Sequence, residues 1–263
     1  MDKYKYTFVS RFEYIKGNES MVATQARIFV LEDGYICKRI NSVRFQPNEY
    51  LLPNKINKRI DKKSTDPDDK NRIIRFVDYF ERKSTFFKEK YIYLVSKYND
   101  EKDLHSYIEH LKIKEELLIE IILEMARCIR LCHEAKVIHM DIKTENFVVI
   151  QEKPLRLKLI DFGFSRYGET KKLKNVCGTK LFIAPEIIRK ECYFKSDVFS
   201  LGSVAMFLQL DNFNDIPKEN LSIEVQGLRR CRPALKEIIR NMVEFEVDRR
   251  YDIHTVIKKL LHL

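Results

Sequence analysis

The chain has 263 residues, 44% of them hydrophobic and 33% charged, with a formal net charge of +10. That length suits a single two-lobed unit, and the composition reads as a soluble globular protein with a substantial core. The longest apolar stretches, such as 117–125, are broken by Glu and fall short of a membrane span, and the opening Met1-Asp2-Lys3-Tyr4-Lys5 lacks the apolar core of a secretory signal.

In chain order, Arg27-Ile28-Phe29-Val30-Leu31 runs through Glu32-Asp33-Gly34 into Tyr35-Ile36-Cys37-Lys38-Arg39-Ile40. Asp-Gly between two apolar runs is a strong hairpin signal, so residues 26–40 are expected to form two antiparallel strands, with Lys38 near the end of the second. Residues 57–71 are almost wholly polar and read as an exposed loop. Two more strands are expected at Ile73–Phe80 and Tyr91–Tyr98. From Lys114 to Ala135 the apolar residues Leu117, Leu118, Ile121, Ile122, Met125, Ile129 and Cys132 recur at helical spacing, which predicts one long amphipathic helix. Helical patterning dominates again from about residue 196. Strands first and helices after describe an α+β chain, with a small β-rich lobe over residues 1–98 and a larger helical lobe over 99–263.

The six cysteines, at 37, 128, 132, 177, 192 and 231, form no CxxC pair. Neither a zinc site nor a disulfide framework is suggested, and a reducing compartment is the default. Lys and Arg are spread along the whole chain, which reads as a solvated basic surface rather than a nucleic-acid or membrane patch, although a phosphate-bearing ligand would also welcome the excess.

The densest chemistry lies in His139-Met140-Asp141-Ile142-Lys143-Thr144-Glu145-Asn146, followed by Asp161-Phe162-Gly163 and Ala184-Pro185-Glu186. Each piece alone has an ordinary structural explanation: a turn, a helix start, a core histidine. In this order, with Lys38 upstream, they resemble the catalytic loop, DFG motif, APE motif and strand-three lysine of the eukaryotic protein kinases, from about residue 10 to the C-terminus. The resemblance implies a bilobal kinase fold, ATP as phosphate donor, Mg²⁺ as cofactor and protein substrates. Asp141 is then the catalytic base and Lys143 a stabiliser of the transferring phosphate. Asn146 and Asp161 offer hard oxygen ligands suited to Mg²⁺, while Lys38 holds phosphates with Glu49 as its partner. Ser96-Lys97-Tyr98 matches the adenine-binding hinge, with Ser96 as gatekeeper and Tyr98 in the hinge; Asp103 matches a ribose-contacting acid. Asp197, in Ser196-Asp197-Val198-Phe199-Ser200-Leu201-Gly202, matches an acid that binds the catalytic-loop backbone, with a simple helix cap as the alternative. Arg250 matches an arginine that pairs with Glu186.

Three departures stand out. The phosphate-covering loop keeps only Gly17 of its glycines, in Gly17-Asn18-Glu19-Ser20-Met21-Val22, with Val22 as a further nucleotide contact. Glycines let backbone amides approach phosphates, so weak ATP binding is expected. Pro53 follows Glu49 by four residues, which predicts a short helix there. Met140 stands where the family usually has arginine, implying weaker dependence on activation-segment phosphorylation; Thr170 and Thr179 remain available. Lys143, Gly178-Thr179 and Phe164 resemble the Ser/Thr group, and Glu145 matches a position that contacts a basic substrate residue in some relatives. Short segments around Asn48-Glu49, Ile73-Ile74-Arg75 and Lys195-Ser196-Asp197-Val198 resemble the monopolar-spindle checkpoint kinases, while Cys177-Gly178-Thr179 resembles Polo and Aurora kinases. These imply an intracellular, cytoplasmic or nuclear, monomeric Ser/Thr kinase of cell-cycle signalling, with a trimmed segment after Leu210 and no nucleic-acid or membrane partner. The alternative is a pseudokinase scaffold with weakened nucleotide binding.

Overall fold

The computed structural model describes residues 8–12, 26–31, 34–83 and 89–263. Five strands, β1 (Phe8–Phe12), β2 (Arg27–Leu31), β3 (Tyr35–Asn41), β4 (Phe76–Lys83) and β5 (Lys90–Lys97), form one antiparallel sheet in the order β1-β2-β3-β5-β4. The hairpin expected over 26–40 is present, with Leu31 opposite Tyr35 and Ile28 opposite Lys38. Gly34 takes φ 71 at its turn and accepts a hydrogen bond from Tyr98 N at 2.8 Å, tying the hairpin to the chain that leaves the sheet. Lys38 sits in the middle of β3, not at its end. The expected strand at 73–80 begins later, at Phe76, because Ile73 and Ile74 bond to Leu159 outside the sheet.

The largest correction concerns residues 48–71. Helix α1 runs from Asn48 to Lys63, so its last turns occupy what reads as a loop, and Pro53 lies inside it. A proline at this point removes one intrahelical donor, yet Leu52, Pro53, Ile56 and Ile60 are buried on one face, and that packing holds the helix together. The polar run hides Ile60, Asp69 and Asn57, whose amide donates to Ile74 O at 2.9 Å. A short 3₁₀ turn at Pro67–Asn71 follows.

Beyond Lys97 come helices α2 (Leu104–Ile108) and α3 (Glu115–Glu134), the latter close to its expected span. Two small hairpin-like pairings follow: β6 (Val137–Ile138) with β9 (Arg166–Tyr167), and β7 (Phe147–Glu152) with β8 (Leu155–Leu159). Helices α4 (Pro185–Ile188), α5 (Phe194–Phe207), α6 (Leu221–Glu224), α7 (Pro233–Met242) and α8 (Ile253–Leu260) complete the chain. Helix α5 is buried on every side from Ser196 to Met206, as a helix at the centre of a core must be, and α3 lays its apolar stripe against the same core. Between Leu210 and Pro233 only the four-residue α6 and short 3₁₀ turns occur, in keeping with a trimmed segment. All six cysteines are free, and among the described residues no helix is long and apolar enough to cross a membrane. The result is a bilobal α+β kinase fold, sheet first and helices after.

Candidate active site

The catalytic loop leaves β6 and ends in a 3₁₀ turn, Thr144–Asn146, that feeds β7. Its aspartate is fixed from three sides. Asp141 Oδ1 accepts from Thr179 N at 2.9 Å and Thr179 Oγ1 at 2.7 Å, while Oδ2 accepts from Asn146 Nδ2 at 2.9 Å. A carboxylate oxygen has two lone-pair sites, so Thr179 fills those of Oδ1 and Oδ2 keeps one for an incoming proton. Asn146 Nδ2 also donates to Asp141 O at 2.7 Å, which leaves Asn146 Oδ1 as the oxygen available to a cation. The loop backbone is strained at Met140, φ 67, and is held there by Asp197, whose carboxylate accepts from His139 N and Met140 N at 2.8 Å each. Asp197 also lies 3.0 Å from His133 Nε2. It therefore serves the loop rather than capping α5, where Ser196 Oγ accepts from Tyr193 N.

Opposite this floor, Lys38 reaches from β3 between two carboxylates. It forms an ion pair with Glu49 on α1 and lies 3.1 Å from Asp161 Oδ1. Burial alone would lower its pKa, but the charges of Asp161 and Glu49 outweigh burial and hold it above the usual lysine value. Asp161 follows β8 in the left-handed region, φ 59, with Gly163 N donating to its Oδ1 at 3.3 Å. Helix α1 is anchored to the same segment by Asn48 Nδ2, which donates to Ser165 O at 3.1 Å.

Between the two lies a cavity of about 490 Å³, within the ordinary range for a small-molecule site. Period-two alternation turns Ala26, Ile28 and Val30, then Ile36 and Lys38, then Leu94 and Ser96, to one face of the sheet, and that face lines the cavity. Val148, Ile160 and Ile74 face it from the other half. Two apolar walls suit a flat heterocycle, and the polar groups Lys38, Asn146 and Asp161 suit its phosphates. Ser96 is buried in the lining, Tyr98 lies at the rim, and Asp103 lines the mouth while also capping α2 through Ser106 N at 2.9 Å. Gly17 and Val22 lie outside the described residues. Ala26, Ile28 and Ile160 were missed in the sequence, although strand alternation carries their signal. Among the described residues no group of three or more His, Cys, Asp or Glu could hold a metal alone. The oxygens of Asn146 and Asp161 fit Mg²⁺, which takes few protein ligands and completes its shell from water and phosphate.

The activation segment is locked to the large lobe. Glu186 is fully buried and receives Arg250 Nη1 at 2.7 Å and Nη2 at 3.2 Å, with Ser196 Oγ donating at 2.6 Å. Burial would raise the Glu186 pKa, but the Arg250 pair outweighs it and holds the carboxyl below its ordinary value. Gly178, at φ 97, packs so closely on Met140 O that a Cβ would come within 2.4 Å. Lys143 is buried beside the loop, 3.6 Å from Glu145.

A protein kinase domain model matches residues 35–262. Serine/threonine-protein kinase DCLK3 of Mus musculus is 27% identical over 187 residues, covering 65% of this chain and 24% of that protein. Calcium-dependent protein kinase 19 of Arabidopsis thaliana is 24% identical over 246 residues, 85% of this chain and 44% of its own length. Serine/threonine-protein kinase ULK3 of Xenopus laevis is 25% identical over 192 residues, 68% of this chain and 41% of its own. The chain thus spans less than half the length of these curated relatives. A domain match over most of the sequence, on a bilobal fold with this cleft, places the chain in the protein kinase domain family.

Proposed function

We propose that this chain transfers the γ-phosphate of ATP to Ser or Thr hydroxyls of protein substrates. The observation that carries the reading is a threefold-bonded Asp141, held by the cavity-lining Asn146, beside a cavity that the Lys38–Glu49–Asp161 cluster also lines. Asp141 accepts the substrate proton and aims its oxygen. Lys38 binds phosphate oxygens, and Glu49 holds the ammonium in place. Lys143 steadies the transferring group. Asn146 and Asp161 would hold Mg²⁺, which would offset the charge of the phosphates. Thr179, Glu186, Asp197 and Arg250 position the base and the peptide-binding segment. The family resemblance of Lys143 and Thr179 and the names of the relatives support the aliphatic hydroxyls of Ser and Thr rather than the phenolic hydroxyl of Tyr. The intact cluster favours an enzyme over a binding scaffold. Intracellular location, a monomeric state and any mitotic role rest on the sequence resemblance alone.

The test is incubation of the purified chain with Mg²⁺, γ-labelled ATP and generic protein substrates, followed by phosphoamino-acid analysis. Label on phosphoserine or phosphothreonine is expected. Its absence with every substrate, or label confined to phosphotyrosine, overturns the reading.

A further inference from the structure

The segment that carries Thr179 is cationic. From Phe164 to Ile183 the activation segment carries Arg166, Lys171, Lys172, Lys174 and Lys180 against a single acid, Glu169. That acid is already used, accepting from Phe194 N at 2.9 Å. Lys171, Lys172, Lys174 and Lys180 are exposed, and none of them forms a salt bridge among the described residues. Lys180 directly follows Thr179, the residue bonded to the catalytic aspartate, so its backbone lies one residue from the group that holds the base.

A second cation lies beneath the same stretch. Lys218 donates from Nζ to Leu181 O at 3.1 Å and sits 5.6 Å from the Phe199 ring. It is half-buried, and no carboxylate of the described residues pairs with it. Burial lowers its pKa to about 8, as expected for an ammonium with a carbonyl and an aromatic face but no counter-ion. The acid expected to read basic substrate residues, Glu145, is already engaged by Lys143 at 3.6 Å and by Thr144 Oγ1 at 3.1 Å.

We infer that this kinase selects acidic peptides: Lys180, with Lys218 beneath it, reads Asp, Glu or a phosphorylated residue beside the phosphoacceptor, and the exposed lysines of the activation segment draw the rest of an acidic sequence in. The inference rests on the phosphotransferase reading above and adds the substrate's charge class. Charge complementarity of this kind acts on encounter and on specificity, and it weakens as salt screens it. The competing occupant of the same segment is an apolar side chain on the aromatic cluster of Phe182, Phe207 and Phe213, whose rings lie 5.5–6.3 Å apart.

The experiment uses the full chain and a set of serine peptides identical except for flanking residues that are acidic, neutral polar, apolar or basic. Acid-flanked peptides are expected to show kcat/KM about tenfold above basic ones at low ionic strength, a gap that closes at high salt. Lys180→Glu, an exposed change, should raise KM for the acidic peptides and lower it for the basic ones, while KM for ATP stays fixed. Lys218→Met should raise KM for the acidic peptides without that inversion. A preference for apolar flanks whatever their charge, or no change in ranking with Lys180→Glu, overturns this inference and leaves the kinase reading standing. No incorporation into any peptide, or into the chain itself, overturns both.

Discussion

Two ionic clusters join the sheet half of the molecule to the helical half. Around Arg72, the guanidinium forms ion pairs with Glu124 on α3 and lies 3.5 Å from Asp69, while Arg130 binds Asp69 at 2.9 Å and Arg127 binds Glu124 at 2.6 Å. Arg156 on β8 joins through Asp68 at 2.6 Å. The central groups, Arg72, Asp69 and Glu124, are only 1–2% exposed. The cluster around Lys38 uses the same chemistry but opens on the cavity, with 19% of Lys38 and 16% of Asp161 exposed. A closed cluster can only hold two elements in register. An open one, with its cation divided between two carboxylates, keeps donors and acceptors within reach of a ligand. Buried ion pairs are weak evidence of net stability, so the closed cluster is better read as a register device for the segment that follows α1.

That contrast predicts opposite phenotypes. Glu124→Ala leaves Arg72 buried without its main partner and should cost about 3–5 kcal/mol in denaturant unfolding. Replacing both partners, Arg72→Met with Glu124→Leu, should recover most of that loss. A single mutant as stable as wild type would mean the cluster is not closed. Lys38→Met should do the reverse: a smaller loss of stability, and kcat/KM lowered by about 10²–10³ through lost phosphate stabilisation. Steady-state kinetics beside a melting curve separates the two, and a stability loss without a kinetic one would erase the distinction.

Two smaller effects sharpen it. Ser96 is a small residue at the back of the cavity, so an ATP-competitive compound with a large aromatic group aimed there should gain about 2–3 kcal/mol over its truncated partner. Ser96→Met should abolish that gain, and identical compound ranking in both proteins would show that another side chain fills the space. Glu186 gives a pH effect. Its folded pKa lies below the ordinary 4.5, so the stabilisation from its pair with Arg250 is present above that value and fades as pH falls through the folded one. Unfolding free energy should therefore drop as pH falls below about 4.5, less steeply in Glu186→Gln. Equal slopes would remove Glu186 from the acid response.

The parts of this architecture that were legible in sequence are those where chemistry or periodicity is local. Asp-Gly marked the β2–β3 hairpin, the 115–134 stripe marked α3, and the loop from His139 to Asn146 marked the floor of the cleft. What stayed hidden depends on tertiary context. Residues 57–63 look like loop because a helix that buries only Ile60 and Asn57 over that stretch shows almost no apolar stripe. Arg72 and Asp69 read as solvated groups because nothing in the chain signals that Arg72 has a partner, Glu124, 52 residues away. Thr179 was legible as an activation-segment residue, but its bonds to Asp141 appear only once Gly178 lets the two backbones meet.

The central claim is that the base and the metal-holding acid are separate parts of one phosphotransfer site. It is tested most directly by measuring Mg²⁺-ATP affinity by calorimetry and phosphate transfer by label in wild type, Asp141→Asn and Asp161→Ala. The account predicts that Asp141→Asn binds Mg²⁺-ATP nearly as wild type does but loses turnover by about 10²-fold or more, while Asp161→Ala loses both. Undiminished transfer by Asp141→Asn, or wild-type Mg²⁺-ATP affinity in Asp161→Ala, would contradict it.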